Sequence, residues 1–133
     1  MNLEEIVNQL SLDMRKNRHV HAMWLEGSYA TGLHNKQSDI DVWMDIDDGM
    51  FEHVVFIFRR HLEKLGKIDW EETRGLYSEN PKLMKFTFHL EGFPEEQVIE
   101  LDLQEHSRKF VFSKREHTIK LLFDKDNTIQ WKE

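Results

Sequence analysis

Eight residues, Asp39 to Ile46, constrain the fold of this chain more than any others. Apolar and polar positions alternate there without a break. Ile40, Val42, Met44 and Ile46 fall on one side, and Asp39, Asp41, Trp43 and Asp45 on the other. Successive strand side chains point to opposite faces, so this period demands a strand with one face in a core and the other rich in carboxylates. The period then changes. Phe51, Val54, Val55, Phe58, Leu62 and Leu65 share one helical stripe, with Asp47 or Asp48 placed to cap its start and Gly66 to end it.

The flanking segments extend the pattern. Leu3, Ile6, Val7, Leu10 and Met14 recur at helical spacing behind Asn2 and Glu5, a capping-box pair. Val20 to Leu25 is a short, nearly all-apolar run that suits a buried strand, broken by Gly27-Ser28 and a single helical turn near Tyr29 to Leu33. After Gly66 the chain reads mostly as strands: Lys67 to Thr73, Met84 to Leu90, a turn over Gly92 to Glu96, and Val98 to Gln104. Leu121 to Phe123 and Thr128 to Trp131 flank Asp124 to Asn127, which predicts a hairpin whose Asn takes the left-handed conformation. The fold class is therefore α/β (α+β): a mixed sheet with helices mainly on one face and an open face that carries carboxylates.

Size and charge bound the rest. The 133 residues and 16.1 kDa fit one domain, spanning 1–133, whose folding buries about two thirds of the surface of the extended chain. A net charge of −7 disfavours nucleic acid and anionic membranes as partners, since both call for a basic face. The absence of cysteine removes disulfides, thiolate zinc sites and Cys nucleophiles. The N-terminal residues show no basic-then-apolar signal and no apolar run is long enough to span a bilayer, so a cytoplasmic location is expected.

The chemistry lies in Gly27-Ser28 and, after a gap of ten residues, Asp39-Ile40-Asp41. Carboxylates at i and i+2 on a strand share a face about 7 Å apart and can converge on hard cations. Oxygen-only ligands select Mg²⁺ or Mn²⁺ over zinc. A Gly-Ser turn entering a helical turn offers backbone N–H groups and a hydroxyl to phosphate. Further acids follow on a later strand, where Glu100 and Asp102 oppose Ile99, Leu101 and Leu103. Carboxylates gathered on one face repel each other unless cations neutralise them.

Other features read more plainly. Asp45, Asp47 and Asp48 suit caps and surface. Trp43 shares the carboxylate face and is placed to stack on a ring or to pack. Arg108, Lys109, Lys114 and Arg115 read as solvated loop charges. His19 and His21 put two rings on one strand face, but no third ligand at helical or hairpin spacing accompanies them, so no zinc site is expected.

Together, Gly27-Ser28, Asp39-Ile40-Asp41 and the apolar-flanked acid of the late strand resemble the DNA polymerase beta-like nucleotidyltransferase superfamily. Ser28-Tyr29-Ala30-Thr31-Gly32, Ser38 to Asp41 and Leu121 to Asp126 are similar to segments of small bacterial aminoglycoside and lincosamide nucleotidyltransferases and of minimal nucleotidyltransferases. The resemblance implies that Gly27 and Ser28 hold a nucleoside triphosphate, and that Asp39, Asp41 and Asp102 bind two Mg²⁺ (or Mn²⁺) ions. It also implies Asp102 as the general base, with Glu100 its rival for the third carboxylate. The implied reaction moves a nucleoside monophosphate, AMP from ATP, to a hydroxyl of a small-molecule acceptor and releases pyrophosphate. The antibiotic-modifying relatives usually carry a further helical domain, which is not expected in residues 1–133; the resemblance then leaves a minimal stand-alone form, an excised domain, or a pocket completed by another subunit, such as a second copy in a homo-oligomer. Two alternatives follow from the same resemblance: an antitoxin-like regulator that binds a protein partner, and a catalytically degenerate binding module.

Overall fold

A computed structural model describes residues 1–76 and 80–132. Helix α1 (Leu3–Arg15) begins in the expected capping box: Glu5 N–H donates to Asn2 Oδ1 at 2.8 Å, and Asn2 N–H to Glu5 Oε1 at 2.9 Å. Strand β1 (Val20–Glu26) leads through the single turn α2 (Ser28–Thr31) to β2 (Ile40–Ile46), and α3 (Phe51–Glu63) follows. Next come β3 (Ile68–Leu76), β4 (Leu83–Leu90) and β5 (Ile99–Glu105), a 3₁₀ turn at His106–Arg108, then β6 (Val111–Ser113), β7 (Lys120–Asp124) and β8 (Gln130–Lys132).

Six strands form one sheet in the order β3-β4-β5-β2-β1-β7. Every neighbouring pair is antiparallel except β2 and β5, which run parallel, so the sheet is mixed. That parallel pair sets the site: Asp41 stands beside Glu100, Trp43 beside Asp102 and Asp45 beside Gln104. The alternation of β2 resolves as its pattern dictates. Ile40, Val42, Met44 and Ile46 join Ile99, Leu101, Leu103, Phe86 and Phe88 under α1 and α3 in the main core. Phe58 of α3 meets Phe88 of β4 with ring centroids 5.6 Å apart. Truncating either ring to Ala would cost about 3–5 kcal/mol through lost burial and the cavity left behind.

Three expectations are corrected. The opposite face of the sheet is open only in part, because β6 and β8 pair in parallel as a small second sheet. Their Phe112 packs with Ala22 and Trp24 of β1 in a second apolar cluster. The predicted hairpin does not form. Asn127 does take a positive φ of 52°, but β7 pairs with β1 and β8 with β6. The Asp124 carboxylate accepts the N–H groups of Thr128 at 2.7 Å and Ile129 at 2.9 Å, which turns the chain out of the large sheet. Finally, neither Asp47 nor Asp48 caps α3. Met50 occupies the cap without a side-chain bond, and Gly49, at φ 78°, redirects the chain before it. Asp47 instead accepts from His19 and His21, and Asp48 from Ser107 N–H.

Candidate active site

The Gly27 position is dictated by crowding. Its φ is +69°, a conformation that side chains resist, and an added Cβ would collide with Asp41 Oδ2. The backbone at the start of α2 is thus pressed against the second acid of Asp39-Ile40-Asp41. Ala30 and Thr31 N–H groups return to Gly27 O at 3.0 and 3.2 Å, and Leu33 N–H reaches Ser28 O at 3.0 Å, which fixes the tight turn. Ser28 is the first helical residue and stays partly exposed beside it.

Asp39 sits just ahead of β2 and is exposed. Its Oδ1 accepts the Val98 N–H at 2.8 Å, tying the start of β2 to the start of β5. Gln97 holds the preceding loop by donating from Nε2 to Lys36 O at 2.9 Å and Ser38 O at 3.1 Å.

Asp41 lies between two other acids, with Glu26 in register on β1 and Glu100 in register on β5. Burial raises its carboxyl first; hydrogen bonding to Glu100 and the charges of Glu100 and Asp102 raise it further, against the opposing pull of Lys85. The result is a pKa of about 7. Burial likewise raises Glu26, with Asp102 adding repulsion, although the Trp24 indole N–H donates to Glu26 Oε2 at 2.9 Å and works the other way. Asp102 is buried, beside Trp43 on β2 and Lys85 on β4. Lys85 Nζ pairs with Glu100 at 3.3 Å.

The structure therefore gathers Asp41, Glu100 and Asp102 on one face beside the Gly27-Ser28 turn, with Asp39 at its edge. It does not pull Asp39, Asp41 and Asp102 into a tight triad. Among the described residues the group of three with ligand atoms within 4.8 Å of one another is His21, Asp45 and His106. The acids nonetheless form an all-oxygen donor set whose mutual repulsion a divalent cation would relieve, so the residues present fit Mg²⁺ or Mn²⁺. Trp43 stacks on Trp24 with centroids 6.0 Å apart and lies under Arg108 at 6.0 Å. Arg108 also donates to Gln104 Oε1 at 2.7 Å and covers Phe110 at 4.3 Å, so it belongs to the built face rather than a solvated loop.

Two residues of this face carried no role in the sequence reading. Glu26 was legible in part, because it immediately precedes Gly27 and keeps phase with Trp24. Lys85 was not: it read as one polar position of an alternating strand, and only the β4–β5 register sets it opposite Asp102.

The sheet is mixed, backed by helices on one face, and carries a Gly-Ser turn pressed against clustered acids on the other. The chain belongs to the nucleotidyltransferase domain family, whose model matches residues 2–117, and with it to the DNA polymerase beta-like superfamily. No curated protein matches it in sequence. Among solved structures it is similar to a chain described under "Structure and function of the polymerase core of TRAMP, a RNA surveillance complex", at 17% identity and a TM-score of 0.45. That match covers 74% of this chain and 29% of the other, so the chain spans less than a third of that neighbour.

Proposed function

We propose that this protein transfers a nucleoside monophosphate, AMP from ATP, to a hydroxyl of a small-molecule acceptor. The observation that carries the reading is the close approach of Gly27 to the Asp41 carboxylate, which an added Cβ would strike; in this reading the turn binds phosphate and the acids hold metal. In this reading residues 1–133 act as one catalytic domain. Gly27 and Ser28 hold the triphosphate through backbone N–H groups and the Ser28 hydroxyl. Asp39, Asp41 and Asp102 would hold two Mg²⁺ ions, which would supply neutralisation of phosphate charge.

The chain's own residues divide the remaining work. The acceptor oxygen attacks the α-phosphorus, its proton passes to the Asp102 carboxylate, and the bond to the pyrophosphate leaving group breaks. Asp102 is buried, in register with Trp43 on one side and Lys85 on the other, which fixes the position of its carboxylate. Glu100 is held by Lys85 and supports Asp41 from beside it. The exposed edge of Trp43 offers a stacking surface for a base or acceptor ring.

Calorimetric titration with ATP, GTP, CTP and UTP in Mg²⁺ and then in EDTA tests this. Metal-dependent binding of one nucleotide, lost in Asp39→Asn/Asp41→Asn, supports the assignment and names the donor. Asp102→Asn should then remove turnover while Glu100→Gln keeps a measurable rate; the reverse result transfers the base to Glu100. Failure of all four nucleotides to bind would leave a degenerate fold whose work is binding a partner.

A further inference from the structure

Among the described residues the best-converged ligand set lies on the same face of the sheet, further along β2 from the Gly27 end. His21 of β1, Asp45 of β2 and His106, at the start of the 3₁₀ turn, bring ligand atoms within 4.8 Å of one another. Asp45 is four residues along β2 from Asp41, about 13 Å by strand rise, so the two sets do not share an ion.

The fold builds this convergence in three ways. The register of β1 on β2 slips between Val20 and Ala22, so His21 is the extra residue of a bulge, a device that re-aims a side chain. The parallel register of β2 and β5 sets Asp45 beside Gln104, two residues before His106. The 3₁₀ turn then carries the His106 ring back over β2, where it stacks on His21 with centroids 4.1 Å apart.

Each candidate ligand is also held by a neighbour. Asp45 is almost fully buried; its Oδ2 accepts from Gln104 Nε2 at 2.8 Å and its Oδ1 bonds His106 Nδ1 at 2.7 Å. His21 Nε2 bonds Asp47 Oδ1 at 2.6 Å, and Asp126 Oδ2 lies 3.2 Å from its Nδ1. A carboxylate behind a ligating imidazole and an amide behind a ligating carboxylate are the outer contacts that orient metal ligands. A cavity of about 460 Å³, lined by Asp45, His106, Asp126 and Thr128 among others, gives an entry path and room for water. Thr128 Oγ1 is buried without a hydrogen-bond partner among the described residues.

We propose that His21, Asp45 and His106 form a second metal site, selective for Zn²⁺ or a similar borderline divalent ion. Two imidazoles and one carboxylate suit Zn²⁺ and not Mg²⁺, and three protein ligands leave a fourth position toward the cavity. Metal binding replaces the His106–Asp45 hydrogen bond and one of the two bonds from His21 to Asp47 and Asp126, and any proton on a coordinating nitrogen leaves to solvent.

The test titrates tag-free full chain with Zn²⁺ by calorimetry in excess Mg²⁺, with Co²⁺ as a visible-absorbance probe. One Zn²⁺ binds per chain, Co²⁺ gives ligand-field bands, and Zn²⁺ raises the melting temperature. His106→Ala and His21→Gln each weaken Zn²⁺ binding about tenfold or more. Both positions lie at the surface edge, and melting in EDTA checks that the variants fold. Asp39→Asn/Asp41→Asn leaves Zn²⁺ binding unchanged. The proposal is overturned if Zn²⁺ does not saturate in the presence of Mg²⁺, or if both folded histidine variants bind it as the parent does. Loss of Zn²⁺ binding only in the Asp39/Asp41 variant would overturn it equally.

Discussion

Strands β1, β2 and β5 carry two polar clusters on the same face, and the clusters solve the same electrostatic problem in opposite ways. Near Gly27, burial first, and then hydrogen bonding to Glu100 and the charges of Glu100 and Asp102, drive the Asp41 carboxyl up to about 7 against the pull of Lys85. Further along, Asp47 lies between His19 and His21, and their hydrogen bonds hold its carboxyl below the usual range. Asp45 is likewise met by Gln104 and His106. In the second cluster the acids are met by imidazole and amide groups. The first gathers several carboxylates around one buried acid with Lys85 beside them, an environment that clusters at functional sites.

The comparison breaks most readily at Asp41. Asp41→Asn removes one charge from the crowded end and should lower nucleotidyl transfer by about 10³-fold, roughly 4 kcal/mol of transition-state stabilisation, in steady-state assays. An equal loss from Asp47→Asn would erase the distinction between the clusters. Gly27→Ala comes next. The methyl group must displace the Asp41 carboxylate, so turnover should fall by about 10²-fold while melting shifts by only a few degrees, the usual cost of Ala at positive φ.

Asp124→Ala is a smaller, structural change. It strips two N–H groups of their acceptor and should cost about 2 kcal/mol in denaturant unfolding, with the β6–β8 sheet loosened over Trp24.

The mildest effect is on pH. The folded Asp41 pKa lies above the ordinary 3.8, so its contribution to stability is complete below about pH 4 and is lost as pH rises through about 7. His21 and His89, raised by hydrogen bonds to carboxylates that outweigh desolvation, push the same way. Melting temperature in EDTA should therefore fall from pH 5 to pH 8, and less steeply in Asp41→Asn than in the parent.

The fold was legible wherever one face of an element is apolar. The period of Asp39 to Ile46, the α3 stripe and the Asn2 capping box all resolve as read. Elements without a strong period were misplaced, because their partners are distant in sequence. Thr128 to Trp131 looks like the second half of a hairpin, yet the Asp124 carboxylate diverts it to β6. The Gly-Ser turn and Asp39-Ile40-Asp41 are local motifs and could be read directly. The convergence of His21, Asp45 and His106 could not, since it depends on a bulge, a parallel register and a turn that leave no short-range trace.

In the function proposed, the acids beside Gly27 are gathered there to hold a cation. Titrating the Asp41 carboxyl by carbon-13 NMR, with and without Mg²⁺ and a non-hydrolysable ATP analogue, tests it most directly. The account predicts a midpoint near 7 in EDTA that falls by more than a unit when metal and nucleotide bind. A midpoint near 4 that neither ligand moves would contradict it.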